Sequence, residues 1–586
     1  MATLSDLRTV LLLLLLPVLA HAQTTARTPN LRVPFTSNEK MNEGLSRIDE
    51  VLGPITGGVY DPAHRGMVFD AGGAVFNVMA PNFGARCDGT TDDTIAIQKA
   101  ENSADDVCGT VFIPATANGC KVTDADGDGS GILVSSCVTI AGEGWGSKLV
   151  AGANFGNADL LETAENPATE GARPVNVTIR DLTLDGNKAN NSTGGEASMG
   201  ITLRATVDAL VSNVRILNPK GDCVYIGGAS TATVRPLRNT VRGVHCSGPA
   251  RNGIAVVSGH QINILGNHVE DWGFGAIDLE LESTADLAVE EANIVGNVME
   301  NGDTDANDVG INVIADTAGQ VLKGVSVVGN VVDHAGVGLQ FRGTTALTVS
   351  ANTIRNTVDD CIRSASGAAG MDPVGTVITG NALNTCGNEG IQFLRASDIT
   401  ITSNTIRNTA ASAIRLNNGG GGTGTGTPTY VLATGNNVTG VDTDASGNDY
   451  CISVTATSGA IANNVLRNCD YKGIDFGGGQ LTLAGNDISS SGTMNSCIEV
   501  NAGTDVLIRD GAYNNCTTKI SDSGTRTRVN GLAITDTPST CSATTNGEQY
   551  WDKSLFEACV CNSSHGSGAR WCQRDGGGCT SDTSCG

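Results

Sequence analysis

Ile262-Asn263-Ile264-Leu265-Gly266-Asn267 is the stretch that decides the fold, because its pattern returns along the chain. It recurs as Val325-Ser326-Val327-Val328-Gly329-Asn330, Leu347-Thr348-Val349-Ser350-Ala351-Asn352 and Ile399-Thr400-Ile401-Thr402-Ser403-Asn404. The closing asparagines continue through Asn267, Asn297, Asn330, Asn352, Asn381, Asn404, Asn436, Asn464 and Asn486, with a floor spacing of 22 to 23 residues and insertions on top. Period-2 alternation followed by an Asn turn is strand chemistry. An amide at the same turn of every repeat can bond its equivalent in the next, which predicts an asparagine ladder.

A second strand follows about ten residues later, keyed on a small residue and then Ile, Val or Leu. Its members run from Cys223-Val224-Tyr225 through Gly253-Ile254-Ala255, Ala276-Ile277-Asp278, Gly310-Ile311-Asn312 and Gly338-Leu339-Gln340 to Cys497-Ile498-Glu499. A unit of 22 residues with two short strands cannot bury a face alone. Stacked at the ~4.8 Å strand spacing, such units share one continuous core. The pattern predicts an all-β, single-stranded right-handed parallel β-helix, its hand taken from the chirality of crossover connections. The middle cysteines fit this register. Cys223, Cys361, Cys451 and Cys497 take the small position, and Cys246, Cys386, Cys469 and Cys516 follow about one coil later, so four inter-coil disulfides are expected.

Composition agrees with a solenoid. There are 76 glycines in 586 residues, aromatics are 4 % and apolar residues 40 %. The formal charge of −25 excludes a phosphate-backbone binder, which needs clustered Lys and Arg. Arg8, the apolar run from Val10 to Ala20 and Ala20-His21-Ala22 form a cleavable export signal over 1–22. That run is too short to span a bilayer, so no membrane insertion is expected. Eighteen cysteines in an exported chain point to disulfides. The expected organisation is a signal at 1–22, an N-terminal segment at 23–66 with a helix around Glu39 to Val51, the β-helix at 67–530, and a small Cys-rich module at 531–586. Nothing in the repeat sets a number of subunits.

The run from Phe76-Asn77-Val78 through Phe83-Gly84-Ala85-Arg86-Cys87-Asp88-Gly89-Thr90-Thr91-Asp92-Asp93-Thr94-Ile95-Ala96-Ile97-Gln98, continued by Cys108-Gly109-Thr110-Val111-Phe112-Ile113-Pro114, resembles the opening motif of the rhamnogalacturonase/epimerase-like pectate lyase superfamily. With the coils, the resemblance covers roughly residues 67 to 530. It implies a pectin lyase-like solenoid closed by an N-terminal helix, and a polysaccharide partner that is hydrolysed, cleaved by β-elimination or epimerised. Thr91 is expected to cap that helix with Asp92 and Asp93 in its first turn, and Ile95, Ile97 and Ala100 to close the end of the rod. The Asn-x-Asp, Gly-His-Gly and Arg-Ile-Lys series of polygalacturonases is not found. Neither is the Asp-Pro-His signature of alginate epimerases, for which Asp61-Pro62-Ala63-His64 is a near miss.

Side chains alternate across a strand, so the residue after each apolar key faces outward. That column reads Tyr225, Ala255, Asp278, Asn312, Gln340, Arg363, Gln392, Arg415, Ser453, Asp475; two residues further come Glu280 and Arg342. Asp222, Asn252, Asp360 and Glu389 precede the keys, completing a polar wall on which a sugar chain could lie. The densest group is Arg251-Asn252-Gly253 with Asp278-Leu279-Glu280, a combination similar to one in bacterial and phage members of the superfamily. Asp278 and Glu280, about 6.5–7 Å apart along one strand, could divide acid and base roles, since like charges push their pKa values apart. They could equally hold Ca²⁺ or be solvated acids. Asn312, Gln340, Arg342, Arg363, Gln392 and Arg415 would bind substrate. Asp124, Asp126 and Asp128 match the front half of a calcium loop, without the Glu an EF-hand needs at its twelfth position. Calcium is therefore the one cofactor considered. The expected function is a secreted lyase or glycoside hydrolase acting on an extracellular, uronic-acid-containing glycan. The alternative is a non-catalytic adhesin or glycan-binding surface protein.

Overall fold

The computed structural model describes residues 74–530, short internal loops excepted, and the backbone of flanking strands at Val59–Asp61, Gly66–Val68, Leu532–Thr535, Gln549–Asp552, Glu557–Asn562 and Arg570–Gln573. The export signal, the helix around 39–51, Asp126, Asp128 and the side chains of the C-terminal cysteines lie outside the described residues.

Each coil carries three strands rather than the two read from the repeat. Asn263–Leu265, His268–Glu270 and Gly275–Glu280 form one such coil. The missed strand follows the ladder asparagine. It is three residues long and turns one side chain, Val269, inward, so its period is too short to stand out from a turn. Within the coils, strands pair in parallel with their equivalents in the next coil: Asn263 with Asn293, His268 with Val298, Ile277 with Ile311. The result is a parallel β-helix with three faces, here called first, second and third in chain order.

Its interior is filled by stacked aliphatic columns. Ile254, Ile277, Ile311 and Leu339 on the third face, and Val269, Met299, Val332 and Ile354 on the second, are all at most 1 % exposed. The small residue before the key leaves room for the following coil. At Gly338 a Cβ would lie 2.3 Å from Ile354 Cγ2 and 2.5 Å from the Cys361 carbonyl oxygen.

The asparagine ladder is present from Asn267 to Asn486. Asn267 Nδ2 donates 2.9 Å to Asn297 Oδ1 and 3.0 Å to the Val241 carbonyl, while the Asn267 N–H donates to the same Asn297 oxygen. The pattern repeats coil by coil with all of these amides buried. A buried amide is tolerated because every donor and acceptor finds a partner. The four expected disulfides form, Cys223–Cys246, Cys361–Cys386, Cys451–Cys469 and Cys497–Cys516, joined by Cys87–Cys120 and Cys108–Cys137 near the N-terminal end.

The closing helix spans Thr94–Asp105 and buries Ile97, Ala100 and Ala104 against the first strands. Two expectations about it are corrected. Ile95 is 75 % exposed, because a 3.6-residue period that buries 97, 100 and 104 turns position 95 outward. Thr91 is not the cap: its hydroxyl is held by Asp88, the helix starts three residues later, and Asp92 Oδ1 accepts the Thr94 N–H at 3.1 Å. Asp93 accepts instead from the N–H groups of Arg86 and Cys87, fastening the preceding loop.

Candidate active site

The outward columns of the third face stack as expected. Register pairs Asp278 with Asn312, Asn312 with Gln340, Gln340 with Arg363, Arg363 with Gln392 and Gln392 with Arg415. Glu280 lies over Ile314, and Ile314 over Arg342, whose Nε donates 2.8 Å to the Ala315 carbonyl. The side chains of the first column are joined end to end. Arg363 Nε donates 2.7 Å to Gln340 Oε1, Gln340 Nε2 3.2 Å to Asn312 Oδ1, and Asn312 Nδ2 2.9 Å to Asp278 Oδ1. Arg363 also pairs with Asp359 at 2.6 Å, and Arg415 with Glu389 at 2.6 Å.

The open polar wall is corrected at its upper end. Asn252 is fully buried, and Asp278 and Asn312 are 3 % and 5 % exposed. Asn252 sits opposite Gly275, where a side chain would crowd it: a Cβ there would be 3.0 Å from Asn252 Oδ1. Its N–H donates to Asp222 Oδ1, and its Nδ2 donates 3.2 Å to Asp278 Oδ2. Asn252 thus positions Asp278 and does not face the surface. Asp222, Asp360 and Glu389 are likewise buried, each within 1 %. They precede the strands, and Asp222 and Asp360 accept backbone N–H groups of the following coil.

Burial is the main reason the Asp278 carboxyl is pushed up to about 8, reinforced by the negative charges of Glu280 and Asp222 and only partly offset by Asn312 and Arg251. Asp360 is pushed up to about 8 by burial, then by Glu389 and Asp359.

A cleft of about 440 Å³ opens on the same face, above this column. Glu280, Arg251, Tyr225, Arg204, Thr202 and Asp159 are among its lining residues, drawn from five successive rungs. Glu280 and Arg251 were anticipated; Asp278 lies beside the cleft without lining it. The sequence reading placed Tyr225 in its outward column but missed Asp159, Thr202 and Arg204. Leu161 pairs with Ile201 across 40 residues, an insertion that hides Asp159 from the period, whereas Ile201 stands only 23 residues before its partner Val224 and Thr202-x-Arg204 has the alternating outward pattern, so that pair was legible. Asp159 is pushed up to about 7 by burial, against hydrogen bonds from Thr202 Oγ1 at 2.6 Å and the Met199 N–H at 2.7 Å. Arg204 Nε donates 2.5 Å to Glu162 Oε1. The Tyr225 ring lies over Gly227, where a Cβ would be 2.9 Å from its hydroxyl. Acids, a phenol and two guanidinium groups therefore share one elongated cleft.

Asp124 accepts a long 3.4 Å bond from the Gly129 N–H, its two partner aspartates being outside the described residues. Among the described residues, metal-ligating side chains converge in two groups. Cys87, Asp93 and Cys120 are consumed by a disulfide and backbone bonds, and His245, His268 and Glu270 lie on the second face. Neither is an all-oxygen cage of the kind calcium takes. His260, expected at the surface, pairs with Glu291 at 3.3 Å.

No family model matches the chain. Mannuronan C5-epimerase AlgE1 of Azotobacter vinelandii is 37 % identical over 123 residues, covering 20 % of this chain and 8 % of that protein. Alginate lyase 7 of the same organism is 36 % identical over 113 residues, covering 19 % of this chain and 12 % of its own length. The chain thus matches only a small part of each of these relatives. Among solved structures, a tailspike protein of E. coli bacteriophage HK620 in complex with pentasaccharide is 12 % identical, covers 83 % of this chain and 86 % of that chain, and superposes with a TM-score of 0.54. The chain folds as a parallel β-helix, and about a fifth of it is similar in sequence to a small part of mannuronan C5-epimerases and of an alginate lyase.

Proposed function

We propose that the protein is an exported enzyme that modifies a uronic-acid-containing polysaccharide lying along the third face. The observation that carries this reading is the cleft itself, which gathers Asp159, Tyr225 and Glu280 beside Arg204 and Arg251. The shared stretch with a C5-epimerase and a lyase supports chemistry at the carbon next to a uronate carboxylate.

In this mechanism Arg251 and Arg204 face the sugar carboxylate and stabilise the charge that builds on it as the neighbouring C5–H bond breaks. Glu280 accepts that proton. Tyr225 or protonated Asp159 returns one: to the glycosidic oxygen as the C4–O bond breaks and a C4=C5 double bond forms, or to the opposite face of C5, which inverts it. Asp278, kept neutral by burial, lets Glu280 carry the local negative charge. Asn312, Gln340, Arg342, Arg363, Gln392 and Arg415 extend the binding surface down the rod. Asp124 is the described carboxylate that could contribute to a calcium loop, and no step depends on it.

Incubation with polyuronates and neutral glycans tests the reading. Unsaturated uronate with new reducing ends is the result of elimination, and altered C5 configuration without scission that of epimerisation. Reducing ends alone, equally from neutral glycans, would refute the C5 chemistry. Retention of glycan without any product would establish the adhesin instead.

A further inference from the structure

We propose that His245, His268 and Glu270 form a binding site for a divalent transition-metal ion of the zinc class on the second face of the rod. His245 and His268 occupy successive rungs of one column. Their rings stack with centroids 4.9 Å apart and planes within 4°, so at least one ring must turn about its side-chain torsions before both nitrogens aim at one ion. Glu270 Oε1 lies 3.1 Å from His245 Nε2, and one donor atom from each of the three residues falls within 4.8 Å of the others. Zinc takes imidazole nitrogen and carboxylate oxygen at about 2.0–2.2 Å, which sets donors on a tetrahedron roughly 3.4 Å apart. Donors that lie within 4.8 Å reach that figure by rotation of the partly exposed His268 and Glu270 side chains. Glu300 Oε1, 2.9 Å from His268 Nε2 and one coil further on, is placed to supply a fourth donor.

The side chains of His245, His268 and Glu270 are 17 %, 37 % and 26 % exposed, accessible to an ion but partly dehydrated. Arg215, the next residue up the histidine column, has its guanidinium carbon 5.6 Å from the Trp145 ring centroid. Two imidazoles select zinc, nickel or cobalt over calcium or magnesium, which take oxygen ligands. The ligands come from consecutive coils, so a bound ion would clip those coils together. The site shares no residue with the third-face cleft and stands whether or not that cleft is catalytic.

Chelator-stripped full-length protein titrated with Zn²⁺ by calorimetry tests this. The expected result is an equivalent per chain that is lost in the His245→Gln/His268→Gln double variant, a Tm raised by zinc in the wild type alone, and the strong visible absorption of four-coordinate Co²⁺ quenched by Zn²⁺ but not by Ca²⁺. Circular dichroism checks that the double variant is folded. Should it not fold, Glu270→Gln serves in its place and is expected to weaken binding at least about tenfold, as loss of a ligand does. Absence of stoichiometric binding, or unchanged binding in a folded variant, would overturn the site and leave simple His–Glu ion pairs.

Discussion

Asn312 donates a 2.9 Å hydrogen bond to Asp278 Oδ1 from 34 residues away in the chain, because the two occupy the same position on successive coils. That bond, the one from Asn252 and the bulk of the wall hold a carboxyl in a place where water cannot solvate its charge.

Stability should therefore depend on pH in a definite direction. Asp278, Asp360 and Asp159 have folded pKa values of about 8, 8 and 7, above an unfolded value near 3.9. The folded state then binds more protons than the unfolded one across that window. The contribution of these three groups is greatest below pH ~4, declines as pH rises towards 8 and levels off above, whereas carboxylates held below their ordinary range, such as Asp92 and Asp333, lose theirs only as pH falls below about 4. Melting temperatures at pH 5 and pH 8 should show the fall, and Asp278→Asn should shrink it. A melting temperature that climbs across this range would contradict the buried-acid assignment.

Glu280→Gln should reduce turnover about 10²- to 10⁴-fold, the span of general acid–base catalysis, while leaving the melting temperature near that of the wild type. Glu280 is half-buried at the cleft, so its loss removes chemistry and little packing. Initial rates on a polyuronate are the measurement, and full activity would remove Glu280 from the mechanism.

Arg251→Ala should raise KM for a charged polyuronate far more than for a neutral glycan, and flatten the salt dependence of KM. The guanidinium lines the cleft, and Asp222, 3.8 Å from its Nε, is buried. Equal effects on both substrates would assign Arg251 to packing.

Asn352→Ala should cost about 3 kcal/mol in urea unfolding, since each buried partner left unpaired costs ~1–3 kcal/mol. The side chain donates to Val327 and Asn381 and accepts two bonds from Asn330, so its removal unpairs groups in the coils on either side. Gly338→Val should be similarly harmful, for steric reasons, at the 2.3 Å approach to Ile354. A near-neutral result at either position would mean the coil relaxes where the packing says it cannot.

Removing Cys361 and Cys386 together should lower stability by about 2–4 kcal/mol, the usual value of a native bridge. This pair tests the coil alignment directly, because it joins positions 25 residues apart that meet only when one coil lies on the next.

The solenoid, its ladder of asparagines, the outward column from Asp278 to Arg415 and the four middle disulfides were legible in the residues alone. All of them follow from one period, and in a parallel stack sequence offset converts directly into vertical position. The third strand of each coil, around Val269, was not legible, because a three-residue element with one inward side chain carries no period. Nor was the depth of Asn252 and Asp278: alternation says which face a side chain leaves by, whereas burial depends on what the neighbouring coils place over it. The cleft is the clearest case. Asp159 joined Arg204, Tyr225, Glu280 and Arg251 only once the 40-residue excursion between paired Leu161 and Ile201 was looped away from the rod, since proximity across coils is set by strand pairing and not by distance along the chain.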